Sequence, residues 1–176
     1  MKMRMACGAV LMGVLGLCML AGANREAPLV GHQKLGDTVP QLENAVARQP
    51  NDTEALIKLT EHYIERGAPG MALAALEHAP ESVQNNPRVA HLWGIALLHE
   101  GRSTQALEKE RQAIAGCSER RCAPWVLASA MRHEQFLAEL VQRGVEDYRR
   151  DPEATQAAYG RLSRNVVAVL EIPQAN

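Results

Sequence analysis

Apolar residues recur along most of this chain at the three- and four-residue spacing of amphipathic helices. Between residue 37 and about residue 120, the spacing predicts five helices separated by turns rich in glycine, proline and asparagine. Their apolar positions are, in chain order, Leu42, Ala45 and Val46; Leu56, Leu59, Tyr63 and Ile64; Ala72, Ala75, Leu76 and Ala79; Val89, Leu92, Trp93, Ile95, Ala96 and Leu97; and Ala106, Leu107, Ala113 and Ile114. No segment shows the strict two-residue alternation of a half-buried strand, so the sequence predicts an all-α fold.

A repeat emerges when positions are compared at a fixed offset of 34 residues. Glycine falls on glycine, small residues fall on small ones and large apolar residues fall on large ones. The matches are Gly67 with Gly101; Ala72 with Ala106; Ala45 with Ala79 and Ala113; Leu42 with Leu76; Leu59 with Trp93; and Tyr63 with Leu97. So many matches in one register indicate helical hairpins that stack on one another to bury their second face.

These residues resemble the tetratricopeptide repeat family. Its large first-helix positions correspond here to Leu56, Leu59 and Tyr63 and to Ala90, Trp93 and Leu97; its turn glycine to Gly67 and Gly101; its small second-helix residues to Ala72, Ala79, Ala106 and Ala113; and its closing proline to Pro50. The resemblance implies a right-handed α-α superhelix, or solenoid. Its half unit would span residues 37–52, and its full units 53–86 and 87–120.

The chain departs from the family pattern at three places. Thr60 stands where glycine is usual, although Gly94 keeps it in the next unit. Glu110 occupies a position that is usually large and apolar, and the closing proline of the first full unit is displaced to Pro87.

Beyond Cys122 the offset of 34 fails, and two longer helices are predicted instead. One is expected from Pro124 to Tyr148 and the other from Glu153 to about Glu171. Because solenoids need a cover over their last apolar face, residues 122–172 are predicted to be capping helices.

The N-terminus has the pattern of a secretory signal peptide. Lys2 and Arg4 precede an uncharged apolar run that ends in Ala21-Gly22-Ala23, which predicts cleavage after residue 23 and a tether over residues 24–36. The product would be periplasmic or secreted. Two alternatives remain open: an uncleaved membrane anchor, because the run approaches the roughly 20 residues that span a bilayer, and lipidation at Cys18, which Leu17 disfavours.

Charge and composition narrow the possible partners. The formal net charge is −1, becomes −3 once Lys2 and Arg4 are removed, and is spread along the chain with both signs mixed. No nucleic-acid or anionic-lipid partner is therefore implied. About 150 remaining residues suit one domain with its own core.

Two cysteines remain after cleavage, Cys117 and Cys122. In an oxidising compartment, an even pair across a helix–helix turn predicts a structural disulfide. Redox chemistry and metal binding are the alternatives, and a zinc site would need more ligands than this pair offers.

No catalytic or metal-binding motif is evident. His91 and His99 lie two helical turns apart, too far to share one ion, and Glu108 and Glu110 are interpreted as a solvated face, as are Glu61 and Glu65. Because nucleophile elbows, phosphate loops and zinc-protease helices are also lacking, the sequence predicts a non-enzymatic protein with no cofactor and no metal.

The resemblance implies a concave groove lined by the first helices. The positions that face it correspond to Glu54, Ile57, Glu61, Ile64, Glu65, Arg88, His91, Ile95, Leu98 and His99. The family's carboxylate clamp of Lys and Asn is missing, so the expected ligand is a helix or an extended segment of a protein partner. The leading hypothesis is an envelope scaffold. The alternatives are an exported thiol- or metal-dependent enzyme, or a structural accessory domain whose own C-terminal helix fills the groove.

Replacing both Cys117 and Cys122 with serine tests the bridge against a thiol-dependent role. A loop this small stabilises a fold by about 2 kcal/mol at most, so we expect the free energy of unfolding to fall by no more than that while partner binding persists. Chemical denaturation and a binding assay measure the two effects. Loss of function at unchanged stability would indicate thiol chemistry instead.

Overall fold

The computed structural model describes residues 38–119 and 122–170, with the side chains of the last helix described through Leu162. The predicted signal peptide and tether lie outside these residues. Every regular element in the described part is a helix. The helices are α1 (Val39–Arg48), α2 (Thr53–Glu65), α3 (Pro69–Glu77), α4 (Glu81–Gln84), α5 (Pro87–His99), α6 (Ser103–Glu119), α7 (Pro124–Gln142) and α8 (Pro152–Leu170).

Capping residues and prolines set where the first helices begin. The carboxylate of Asp52 accepts hydrogen bonds from the backbone N–H groups of Glu54 and Ala55, at 3.1 and 3.0 Å, and so caps α2. The side chain of Asn86 caps α5 in the same way, with Pro87 as its first residue. Both helices therefore start at positions fixed by local chemistry.

Three glycines with left-handed backbone conformation form the same type of turn at the ends of three helices. Gly67, Gly101 and Gly144 have φ of 70, 73 and 72°, and each lies two residues after the end of α2, α5 or α7. The residue that follows each glycine donates its backbone N–H to a carbonyl in the last turn: Ala68 to Tyr63 at 2.9 Å, Arg102 to Leu97 at 3.0 Å and Val145 to Leu140 at 2.9 Å. Thus the first helices of three hairpins, α2–α3, α5–α6 and α7–α8, end in the same glycine turn. Helices α3 and α6 begin two residues after their glycine, whereas α8 begins eight residues after Gly144.

The third hairpin was not predicted as a repeat. In all three first helices the residues eight and four positions before the glycine are large and buried, namely Leu59 and Tyr63, Trp93 and Leu97, and Phe136 and Leu140. From Gly101 to Gly144 the offset is 43 residues, so a comparison at 34 misses it. The predicted helix to Tyr148 is wrong at its end, because the glycine turn stops α7 at Gln142. The capping role of residues 122–172 stays a prediction.

A second difference lies after α3. The predicted helix was expected to include Ala79, but it ends at Glu77 and a one-turn helix, α4, follows Pro80. The side chain of Gln84 donates to the carbonyl of Ala79 at 2.9 Å and to that of Leu76 at 3.2 Å. These bonds give additional donors to carbonyl groups at and just beyond the helix end.

The hairpins share one core. The first helices α2, α5 and α7 form a row of neighbours, and the second helices pack behind it, with α3 against α5 and α6 against α7. Apolar side chains from α1 to α8 form a continuous buried cluster whose fully buried members include Leu56, Leu76, Val89, Leu137 and Leu140. Within the described ranges no helix is both long and apolar enough to cross a membrane.

The predicted disulfide is present between Cys117 of α6 and Cys122, which precedes α7, with a Cα–Cα distance of 5.1 Å. It links the second hairpin covalently to the start of the third.

The turns of the second and third hairpins also pack on each other. Ser103 donates its backbone N–H and its hydroxyl to the carbonyl of Glu146, at 3.1 and 2.6 Å. A Cβ atom on Gly101 would lie 2.7 Å from the carboxyl carbon of Asp147, whereas one on Gly144 would meet nothing within 4 Å. The contact between the turns therefore depends on a glycine at position 101.

Gly101→Ala should destabilise the protein more than Gly144→Ala. Both substitutions place alanine in the left-handed region, which costs about 1–2 kcal/mol, but only the first also forces Asp147 away, at a further cost of about 1 kcal/mol or more. Urea denaturation followed by circular dichroism gives the two free energies of unfolding. Equal losses would show that the turns do not pack as described.

Candidate functional site

The structure divides the ten predicted groove residues into three groups. Glu54, Glu65 and His99 are exposed; Glu61, Ile64, Arg88, Ile95 and Leu98 are half-buried; Ile57 and His91 are buried. We call the eight exposed or half-buried residues the first-helix surface. Its apolar residues, Ile64, Ile95 and Leu98, lie in the second half of α2 and α5. Its acidic residues lie on α2, and its basic residues lie on α5.

Two residues of the predicted groove are not available to a partner. Ile57 and His91 are each 3% exposed, and His91 is covered by α7, where Ser129 Oγ lies 3.1 Å from its Nε2. The prediction that His91 lines an open groove is therefore wrong. Helix α7 packs beside α5 as the next first helix of the row and closes over this position.

Arg88 joins the three first helices at one end of this surface. Its guanidinium lies 2.8 Å from the carboxylate of Glu61 and 3.7 Å from that of Glu54, both on α2. On its other side it lies 5.2 Å from the ring centre of Trp125 on α7. Trp125 is 54% exposed, so the first-helix surface continues onto an uncovered aromatic side chain.

A small cleft opens beside this cation–π pair. Its volume is about 350 Å³, and its lining residues are Asn86, Pro87, Arg88, Cys122, Ala123, Trp125 and Val126. The cleft lies where the N-terminal ends of α5 and α7 meet, next to the disulfide.

A polar cluster lies inside the protein at the junction of α5, α6 and α7. Glu110, interpreted from the sequence as a solvated residue, is fully buried, so that interpretation is wrong. Its Oε2 lies 2.7 Å from His91 Nδ1, and its Oε1 lies 3.2 Å from His133 Nδ1. The two imidazole rings are 5.2 Å apart between centres. We call His91, Glu110 and His133 the His–Glu–His cluster.

The first full unit shows what a purely apolar version of this junction contains. Thirty-four residues before His91 and Glu110 stand Ile57 and Leu76, and both are buried. A polar pair thus replaces an apolar pair at the same register. Burying a carboxylate costs free energy unless hydrogen-bond donors or cations compensate for the lost hydration. The Glu110 carboxylate therefore needs the two imidazoles that contact it.

Gly94 supplies the space for this carboxylate. A Cβ atom at position 94 would lie 2.9 Å from Glu110 Oε1 and 3.0 Å from its carboxyl carbon. Gly94, which keeps the glycine of the family pattern, is therefore in direct contact with Glu110, which departs from that pattern.

Sequence reasoning missed the cluster because its members come from three helices and are 19 and 23 residues apart along the chain. Histidine pairs were sought on a single helix. A usable signal was present, since Glu110 falls in the register of Leu76 and His91 in that of Ile57, which places both among core positions.

Three stacked helical hairpins with a shared turn and a continuous core define an α-helical solenoid. The tetratricopeptide repeat family model matches residues 29–93, and this match supports a tetratricopeptide repeat protein. The resemblance inferred from the residues is confirmed there. Comparison with curated proteins and with solved structures gave no match. Repeats of this family suggest a scaffold for contacts between proteins.

A double-mutant cycle tests the energetic coupling within the His–Glu–His cluster. His91→Ile alone leaves the buried Glu110 carboxylate short of a donor, and we expect a loss of about 3 kcal/mol. Adding Glu110→Leu restores the apolar pair of the first unit and should recover at least about 1.5 kcal/mol. Urea denaturation of the wild type, both single variants and the double variant, in EDTA, gives the coupling energy. Simple additivity would mean that the two side chains do not interact.

Proposed function

We propose that this protein is a non-enzymatic scaffold of the cell envelope that binds a segment of a partner protein on the first-helix surface. The single observation that carries the proposal is an apolar strip of half-buried residues on neighbouring first helices, Ile64, Ile95 and Leu98. The exposed ring of Trp125, beside Arg88, lies at the other end of α5. Apolar strips with charged edges accept amphipathic helices or extended segments.

The charges along the strip indicate how such a segment would lie. Glu54 and Glu65 are exposed on α2, while His99 is exposed on α5. A partner with basic residues on the side facing α2 and an apolar centre would complement this surface. Arg88 is already engaged by Glu61 and Glu54, so it serves as a fixed part of the surface rather than as a free cation.

The position of α8 supports an open surface. Its principal helix neighbour is α7: the ring of Tyr159 is centred 4.6 Å from that of Phe136, and Arg161 pairs with Glu139 at 2.9 Å. The principal neighbours of α2 are α1, α3 and α5, and those of α5 are α2, α3, α4, α6 and α7. We therefore favour binding of a separate partner over filling of the groove by the C-terminal helix.

The envelope location rests on the sequence of the first 23 residues, where two cations precede an apolar run and a small-residue cleavage pattern. Cell fractionation combined with the N-terminal sequence of the mature protein tests it. A cytoplasmic protein that retains Met1 would contradict this part of the proposal.

Substitutions on the two faces of the solenoid test the binding surface. The partner is first identified by crosslinking and co-purification from envelope fractions, and its direct binding to the purified protein is then measured. Trp125→Ala combined with Glu65→Lys should weaken that binding at least about 10-fold, because an aromatic contact and a complementary charge are lost.

The matched control places the same kinds of change on α3. Met71 is 53% exposed, Glu77 is exposed as well, and neither lies on a first helix. Met71→Ala combined with Glu77→Lys should leave the affinity unchanged. Equal effects of the two double variants, or the absence of any partner above background, would contradict the proposed surface.

A further inference from the structure

We propose that the His–Glu–His cluster is a binding site for one Zn²⁺ ion that fastens the third hairpin to the second. The inference does not depend on the proposed function, because the cluster lies between α5, α6 and α7 and none of its residues belongs to the first-helix surface.

The first argument is the donor set. Two imidazole nitrogens and one carboxylate oxygen are ligands that Zn²⁺ prefers, and the same three-ligand set with a fourth position left for water occurs in zinc enzymes. One ligand atom from each of His91, Glu110 and His133 can be chosen so that all three lie within 4.8 Å of one another. Tetrahedral zinc requires ligand atoms about 3.3 Å apart, so small side-chain adjustments complete the site.

The second argument is that the surroundings already orient one ligand. Ser129 Oγ lies 3.1 Å from His91 Nε2, on the far side of the ring from Glu110. When Nε2 carries its hydrogen and donates it to Ser129, the lone pair of Nδ1 points toward the carboxylate. Metal binding then replaces the proton that His91 Nδ1 otherwise shares with Glu110 Oε2 across 2.7 Å.

The third argument concerns charge and access. Glu110 is fully buried and the His91 side chain is 4% exposed, but the His133 side chain is 34% exposed. An ion could therefore enter from the side of α7 and keep a water molecule there. Inside, it would neutralise a carboxylate that occupies a core position of the repeat, whose counterpart in the first unit is Leu76.

Such an ion would add a link between helices α5, α6 and α7. The disulfide already joins the end of α6 to the start of α7. The cluster lies away from it, at Glu110 in the middle of α6 and His133 in the middle of α7. Zinc would thus hold the middle of α7 against the second hairpin, so its removal should loosen α7 and α8 more than α2 and α3.

The experiment uses the full mature chain with its disulfide intact, stripped of metal with EDTA and then dialysed. Titration with Zn²⁺ is followed by calorimetry, and Co²⁺ is used as a spectroscopic probe of coordination. We expect one Zn²⁺ per chain, visible-range Co²⁺ absorption typical of four ligands, a higher melting temperature, and slower amide hydrogen exchange in α7 and α8.

Three variants assign the site. His133→Ala, at a half-exposed position that should tolerate it, and His91→Ile combined with Glu110→Leu, which copies the apolar junction of the first unit, should each weaken Zn²⁺ binding by about 100-fold or more. Ser129→Ala removes only the orienting hydroxyl and should weaken it about 10-fold. His78→Ala, at an exposed histidine that follows α3, is the control and should leave Zn²⁺ binding unchanged.

Several results would overturn the proposal: no Zn²⁺ bound by folded protein at micromolar concentrations, unchanged affinity in the cluster variants, or an equal loss in His78→Ala. In each case the cluster would be a hydrogen-bonded network without a metal. Unchanged partner binding with and without Zn²⁺ would leave the proposal intact, which separates it from the proposed function.

Discussion

Each helical hairpin of this protein can bury only one of its faces, so every hairpin depends on the next for the rest of its core. The first helices α2, α5 and α7 pack side by side, and each covers part of the core of its neighbour. Large side chains at fixed distances before Gly67, Gly101 and Gly144 fill the space between neighbours. The glycine turn ends each first helix at the same point, and in the first two hairpins the second helix begins two residues later.

The two full repeats satisfy this requirement with different chemistry. In the first, Ile57 and Leu76 supply apolar contact. In the second, His91 and Glu110 occupy the corresponding places and join His133 of α7 in a hydrogen-bonded cluster. Apolar side chains can pack in several orientations, but the hydrogen bonds between a buried carboxylate and two imidazoles require one geometry. The second junction therefore fixes the position of α7 more narrowly than packing alone would.

The regular part of the fold was predictable because its residues keep a constant offset. Gly67 and Gly101, with the alanines and large residues around them, identify two repeats directly. The third hairpin could not be found this way, since a longer α6, a disulfide loop and a longer α7 move its glycine to position 144. The cluster was missed for another reason: partners on three helices have no characteristic spacing, and Glu110 in a core register was interpreted from its type alone.

Helix α7 contacts both the His–Glu–His cluster and the end of the first-helix surface at Arg88. Arg88 and His91 lie one turn apart on α5, and they contact Trp125 and Ser129, which lie one turn apart on α7. The two helices thus run alongside each other in the same direction at this point. A shift of α7 that changed the cluster would also move Trp125 relative to Arg88, because a helix moves as a rigid element over so short a distance. A movement of α7 would therefore change the His–Glu–His cluster and the contact between Arg88 and Trp125 together.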